Sequence, residues 1–331
     1  MEAPITHAHV ERLDDDLLVT WRGGGDDVAV FVSDSPDDAG LDVRDADRPG
    51  QVLLTTLDPA VRPYVHLLAG DGPFVVVAER LIPLEGAMNF RDLGGYRTDT
   101  GRQVRWGRVY RSDHLGDLTE QDELRLGQLG VQLVVDYRGP NEHEATPSRI
   151  HAEHAIRRHD RPISDGDEDG VSLWDRIKSG TLTSFGPDEL ARYYAGVIDR
   201  YAHVFGEVIT FAANPAHHAM AFHCTAGKDR TGLTAALLLA TLGVDDGQIL
   251  DDYELTNRYR AGRRLEAERP ALAENGIDID DFLGLFTAPR RTLTVALADL
   301  RERYGSIDDY LTGPAGVTPA TLEALRHHLV T

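Results

Sequence analysis

The apolar pattern of this chain changes character near residue 82. Before it, short runs rich in β-branched and aromatic residues recur at roughly ten-residue spacing, as in small sandwiches. They are Leu17-Leu18-Val19-Thr20-Trp21, Val28-Ala29-Val30-Phe31-Val32, Val52-Leu53-Leu54-Thr55-Thr56, Tyr64-Val65-His66-Leu67-Leu68 and Phe74-Val75-Val76-Val77. Gly23-Gly24-Gly25-Asp26-Asp27 predicts a hairpin turn between the first two. After Pro83 and Gly86, strands and helices alternate in the manner of a parallel α/β sheet. Helices are predicted over Thr119–Leu129, Pro187–Ala213, Thr231–Leu242, Asp246–Arg263, Ala288–Tyr304 and Thr318–Leu329. Val134–Arg138, Glu153–Arg158 and Ala219–Phe222 read as strands. The expected division is an accessory β-sandwich over 1–82 and an α/β domain over 83–331.

The strand at Ala219–Phe222 runs into His223-Cys224-Thr225-Ala226-Gly227-Lys228-Asp229-Arg230-Thr231-Gly232, and a helix follows. Strand, glycine-bearing loop and helix N-terminus together bind phosphate, because free backbone N–H groups and the helix dipole converge there. The chain's single cysteine lies in that field, which favours its nucleophilic thiolate. These residues predict a cysteine-dependent phosphatase. Cys224 attacks phosphorus and carries it as a thiophosphate; Arg230 offers a planar fork to two phosphoryl oxygens. Gly227 lets the backbone turn inward, Thr231 donates its hydroxyl to the departing sulfur, and His223 braces the loop from behind. Thr225, Ala226, Gly227, Lys228, Asp229 and Arg230 are the expected phosphate contacts. Lys228 and Lys178 are the only lysines, so Lys228 reads as reaching a second anionic group; the bland alternative is a general arginine preference. A nucleotide-binding loop is excluded, since Phe222 stands where its first glycine belongs and Asp229 where its Ser or Thr would hold magnesium. A phosphate-binding module without turnover is the competing reading.

The loop resembles that of the bacterial tyrosine phosphatases related to mycobacterial protein tyrosine phosphatase B, which share H-C-x-x-G-K-D-R-T-G. Asn89-Phe90-Arg91-Asp92-Leu93-Gly94-Gly95-Tyr96 and Gly107-Arg108-Val109-Tyr110-Arg111-Ser112 resemble that family's opening motifs. Val134-Val135-Asp136-Tyr137-Arg138 resembles its next strand, with Tyr137 where leucine is usual. Asp252-Tyr253 with Thr256-Asn257, and Tyr304-Gly305-Ser306 with Tyr310-Leu311, resemble its C-terminal helices. The likeness spans about residues 86–330 and implies a cysteine-phosphatase fold, a central mostly parallel sheet flanked by helices. It implies substrates among phosphotyrosine, phosphoserine or phosphothreonine and phosphoinositides. Leu18-Val19-Thr20-Trp21 is similar to the early tryptophan strand of fibronectin type III domains.

The general acid has two candidates. Asp229 is in the loop itself; Asp160 follows the Glu153–Arg158 strand, resembles the family's aspartate there and is slightly preferred. Strand alternation separates His154 from His151 and His159, against a zinc site. Asp165-Gly166-Asp167-Glu168-Asp169-Gly170 starts like a calcium loop, but Arg176 falls where a bidentate glutamate is needed, so a solvated loop and candidate lid is expected. No metal or cofactor is implied.

Charge narrows the partners. With 34 Lys plus Arg against 55 Asp plus Glu, the net charge of −21 repels nucleic acid and anionic membranes. A phosphorylated protein, peptide or metabolite fits better than a phosphoinositide in a charged bilayer, although Arg230 and Lys228, with Arg138 or Arg91, are expected to form a local basic mouth. Met1–Arg80 holds 16 acids against 6 arginines, and this region reads as a rigid accessory or a protein-partner module. One cysteine excludes an intrachain disulfide and suits a reducing compartment. Met1–His9 lacks signal-peptide features and no apolar run reaches the ~18 residues of a membrane span, so a cytoplasmic location is expected.

Overall fold

A computed structural model describes residues 4–331 except 26, 47, 56, 59–60, 152–154, 165–175, 178, 263–265, 267–268, 271–272 and 274–277. The N-terminal strands are β1 (His7–Leu13), β2 (Asp16–Arg22), β3 (Val28–Ser33), β4 (Asp42–Arg44), β5 (Gln51–Leu54), β6 (Tyr64–Ala69) and β7 (Val75–Ala78). They form two antiparallel sheets, β1-β2-β5 and β4-β3-β6-β7. Val19, Trp21 and Val52 of one sheet share a core with Val30, Val65 and Leu67 of the other. Each such side chain contributes roughly 1.5–3 kcal/mol on burial, and together they hold the sandwich without a disulfide.

One expectation fails here. β2 pairs with β1 and β5, whereas β3 pairs with β4 and β6, so the glycine run is a crossing between sheets and no hairpin. A Cβ on Gly23, whose φ is +80°, would fall 2.2 Å from the Pro4 carbonyl oxygen, which explains the glycine. β1 was not anticipated because Val10 is its one buried residue, so an edge strand with polar faces shows no alternation.

The remaining elements are β8 (Arg91–Asp92), β9 (Val109–Ser112), α1 (Glu120–Gln128), β10 (Leu133–Asp136), α2 (Pro140–Ala145), β11 (Arg157–Asp160), α3 (Pro187–Arg200), α4 (Ala202–Ala213), β12 (Met220–His223), α5 (Asp229–Thr241) and α6 (Asp246–Thr256). Then come α7 (Leu283–Phe286), α8 (Arg290–Tyr304), α9 (Ile307–Thr312) and α10 (Pro319–Leu329). The sheet order is β11-β10-β12-β9-β8, parallel except for the short antiparallel edge β8. β9, β10 and β12 are buried throughout, as expected of strands covered by helices on both faces. The register sets Asp160, Asp136 and His223 side by side at the carboxyl ends of β11, β10 and β12.

Helix boundaries follow their caps. Thr119 and Asp122 form a complete capping box on α1, and Thr318 caps α10 ahead of Pro319. The single helix expected over Pro187–Ala213 is two, broken at Tyr201 with φ −112° and ψ 24°. No glycine or proline marks the break; Tyr201 Oη instead accepts the Ser164 amide at 3.1 Å, a tertiary contact. α6 passes into a π-turn over Asn257–Ala261, and Gly262 after it is still helical; Arg263, the expected end, lies outside the described residues. Between the sandwich and the α/β sheet, Tyr64, Val76, Ala78 and Trp106 pack together, and Trp106 Nε1 donates to the Val76 carbonyl at 2.8 Å. Among the described residues, no helix is long and apolar enough to cross a membrane.

Candidate active site

Cys224 leaves the end of β12 at the carboxyl edge of the sheet, where open α/β folds bind ligands. It is 1% exposed, at the base of the loop. The loop's carbonyls are taken from behind, one after another. His223 Nδ1 lies 3.2 Å from the Cys224 oxygen, the His114 amide donates to Thr225 at 3.2 Å, and Asn89 Nδ2 reaches Ala226 at 3.5 Å. Gly227 O accepts Arg111 Nη2 at 2.8 Å and Asn89 Nδ2 at 3.3 Å, and Lys228 O accepts the Gly232 amide at 2.8 Å. With the oxygens engaged, the N–H groups of Thr225, Ala226, Gly227, Asp229 and Arg230 find no acceptor among the described residues. Unpaired amides converging at a helix N-terminus make an anion nest. Gly227 permits it: φ is +65°, and a Cβ would sit 2.5 Å from the Ser112 carbonyl oxygen.

Arg230 is held as a directed edge. Its Nη1 and Nη2 grip both oxygens of Glu142 at 2.8 and 2.7 Å, and Nη1 also donates to the carbonyls of Ile163 at 3.1 Å and Tyr137 at 3.3 Å. Nε and the second Nη2 proton have no partner among the described residues, and they lie on one side of the guanidinium. That side offers two parallel N–H bonds to a phosphoryl group. Glu142, on α2, also accepts the Thr225 hydroxyl. Burial alone would raise the Glu142 carboxyl, but the bonds from Arg230 and Thr225 outweigh it and bring it down to about 2.

Behind the loop, Asp136 organises a buried cluster. Arg138 binds it through Nε at 3.1 Å and Nη2 at 2.9 Å, and His223 Nε2 stands 3.2 Å away, an ion-pair distance without hydrogen-bond alignment. Burial opposes ionisation of Asp136, yet His223 and Arg138 hold its carboxyl far below the ordinary value. Arg138 is therefore structural, as is Arg91, whose Nε meets Asp252 at 3.1 Å in the interior. Neither joins a basic mouth. Asp136, His143 and Asp160 bring one ligand atom each within 4.8 Å of one another. Arg138 already pairs with Asp136, and Arg158 Nε with Asp160 at 3.0 Å, so a cation there would face two guanidinium groups.

The other expected residues are distributed as follows. Thr231 is fully buried and its hydroxyl has no protein partner among the described residues. Asp229 Oδ1 accepts Tyr194 Oη at 2.7 Å, and Tyr194 in turn meets Tyr253 Oη at 2.7 Å. Asp160 is half-exposed on the edge strand β11, two strands from β12. Lys228 Nζ does not reach outward: it donates to the carbonyls of Gly284 at 2.5 Å, Leu285 at 3.0 Å and Thr287 at 3.0 Å, pinning α7 to the loop. Tyr137 fills its unusual position by accepting Thr234 Oγ1 at 2.9 Å while its ring lies 6.3 Å from that of Phe222. His151 binds Glu123 and His159 packs edge-on against Phe211; His154, Lys178 and the Asp165–Gly170 segment lie outside the described residues. Sequence reasoning missed Glu142, although it stands four positions after Arg138 at the start of a short helix.

Unpaired amides and a free arginine edge in the loop that follows Cys224 suit transfer of a phosphoryl group to its sulfur, the chemistry of a cysteine-dependent phosphatase. Comparison with known proteins narrows it. The profile described as the tyrosine phosphatase family matches residues 82–331, and the chain belongs to that family. A Cupriavidus necator protein whose name places it among the tyrosine-protein phosphatases is 33% identical over 245 residues, covering 73% of this chain and 85% of its own. A Nostoc commune tyrosine-protein phosphatase is 32% identical, covering 66% and 73%. The triple specificity protein phosphatase PtpB of Mycobacterium tuberculosis is 28% identical, covering 73% and 96%. The chain is a phosphomonoester hydrolase of the protein tyrosine phosphatase type.

Proposed function

We propose that this phosphatase acts on phosphorylated proteins or peptides through Cys224, with Asp229 as general acid. The loop amides and the free edge of Arg230 bind the phosphoryl oxygens. Cys224 Sγ forms a bond to phosphorus as the ester P–O bond breaks, and Asp229 gives its proton to the departing oxygen. Water then attacks the thiophosphate, Asp229 takes the water's proton, and Thr231 donates to the leaving sulfur. The observation that carries this reading is the set of unpaired amides left when the carbonyls of Cys224 to Gly227 are taken by His223, His114, Asn89 and Arg111 and that of Lys228 by the Gly232 amide of α5. Asp229 is favoured over Asp160 by place. It lies in the loop, whereas Asp160 is two strands away, roughly 10 Å at ordinary strand spacing; each has a cation beside it, Lys228 Nζ at 3.3 Å for Asp229 and Arg158 Nε at 3.0 Å for Asp160, so place alone separates them.

The test is phosphate release from a phosphotyrosine peptide and from a monophosphorylated phosphoinositide in EDTA, with Cys224→Ser as control. Release by the wild type alone, faster from the peptide, is the expected result. An active Cys224→Ser variant would overturn the mechanism, and a faster phosphoinositide would overturn the substrate class.

A further inference from the structure

We propose that Arg62, contributed by the N-terminal half of the chain, is a positioning residue for the phosphate loop. Its Nη1 donates to Asp92 Oδ2 at 2.6 Å, Tyr64 Oη at 2.9 Å and Tyr110 Oη at 3.1 Å, and its Nη2 to the Glu79 carbonyl at 3.0 Å. Both charges are buried, Asp92 completely. The remaining bonds to the Asp92 carboxylate are from the amides of Gly94 at 2.7 Å and Gly107 at 2.8 Å. Arg62 is thus the cation paired with the Asp92 carboxylate inside the protein.

Asp92 sits on β8, a two-residue edge strand. β8 pairs with β9 through Arg91 opposite Arg111 and Asp92 opposite Tyr110. Arg91 and Arg111 share the carboxylate of Asp252, at 3.1 and 2.5 Å, and Arg111 then holds the Gly227 carbonyl at 2.8 Å. From Arg62 to the loop the chain of contacts is short, buried and charged. Removing one partner of a buried ion pair leaves an uncompensated charge. Asp92 would then move toward water, β8 would follow, and Arg111 would lose its register on Gly227. Misplacing a catalytic group by about 1 Å can cost on the order of a hundredfold in rate. The sandwich therefore serves the chemistry itself through Arg62, whatever it binds elsewhere.

This inference rests on the phosphate-loop reading above, and its test separates the two. In the full chain, Arg62→Met is compared with wild type for p-nitrophenyl phosphate turnover, well below the unfolding temperature of either. The expected kcat falls about ten- to a hundredfold while KM changes by less than about threefold, and amide hydrogen exchange quickens at 225–230 but not in β11. The double variant Arg62→Met/Asp92→Asn, which leaves no orphaned charge, is expected to recover kcat to within about threefold of wild type. A folded Arg62→Met enzyme with wild-type kcat overturns the inference, and so does a double variant as slow as the single one. If Arg62→Met does not fold, the double variant alone decides by its kcat. An active Cys224→Ser variant would instead defeat the loop reading.

Discussion

Removing the carboxylate of Glu142 leaves Arg230, among the described residues, steadied only by the carbonyls of Ile163 and Tyr137 at 3.1 and 3.3 Å. Glu142→Gln keeps one acceptor but turns an amide N–H₂ toward the guanidinium, so the fork should rotate and kcat fall about tenfold or more, measured by steady-state turnover. The same pair has a signature in acid. The folded carboxyl is depressed from its ordinary 4.5 to about 2, so it stabilises the fold above pH 4.5 and that contribution is lost as pH falls toward 2. The difference in Tm between wild type and Glu142→Gln should therefore shrink across that window; a constant difference would sink the assignment. Asp229→Asn should slow an alkyl phosphate about 10²–10⁴-fold but a p-nitrophenyl ester much less, since a good leaving group needs little protonation. Asp160→Asn should leave both rates near wild type, and the reverse pattern would restore Asp160 as the acid. The proposed Cys224, Asp229 and Arg230 could be picked out because one ten-residue string holds them. Glu142 was not: its partner Arg230 lies 88 positions away, and nothing local in a short polar helix announces a clamp.

At the scale of elements, the loop is shaped less by its own sequence than by α6 and the β8–β9 pair. Asp252 of α6 receives Arg91 Nε, Arg111 Nη1 and the Tyr96 hydroxyl, the last at 3.1 Å, so one carboxylate locks two strands beneath the loop. Asp252→Asn would strand two buried guanidinium groups without their counterion. A loss of about 3–5 kcal/mol is expected for breaking such a network, read from urea unfolding; a loss under about 1 kcal/mol would place it among surface pairs. The motifs containing Arg91, Arg111 and Asp252 were visible in the sequence, but their meeting was not, because the pairs are 161 and 141 residues apart. Local signals behaved in the same way elsewhere. The starts of α1 and α10 and the buried strands β10 and β12 were readable from helical and apolar runs. The break at Tyr201 and the sheet-to-sheet crossing at Gly23–Gly25 were not, since each is decided by a partner distant in sequence or space.

For the whole molecule, the governing quantity is the net charge of −21 set against a site that must attract a dianion. Lys228 adds little, for its Nζ is spent on the carbonyls of α7 and on Asp229, and Lys178 lies outside the described residues. Attraction therefore acts at short range, through the loop amides and Arg230, while repulsion acts at long range through a surface rich in acids. Salt screens these unequally. At about 0.01 M the Debye length is roughly 30 Å, and near 0.15 M it is about 8 Å, so added salt removes the distant repulsion and spares the buried contacts. For a phosphopeptide flanked by acidic residues, kcat/KM should rise several-fold between those concentrations, as repulsive steering is relieved. For one flanked by arginines it should fall, and kcat should stay level in both cases because the enclosed site is unchanged. A fall for the acidic peptide with a rise for the arginine-flanked one would mean that a local positive field dominates the approach, and a phosphoinositide in an anionic vesicle would then become a realistic substrate. A rise for the acidic peptide with a fall for the arginine-flanked one would mean that the surface itself selects against such membranes and leaves basic or neutral phosphopeptides as the substrates that reach Cys224.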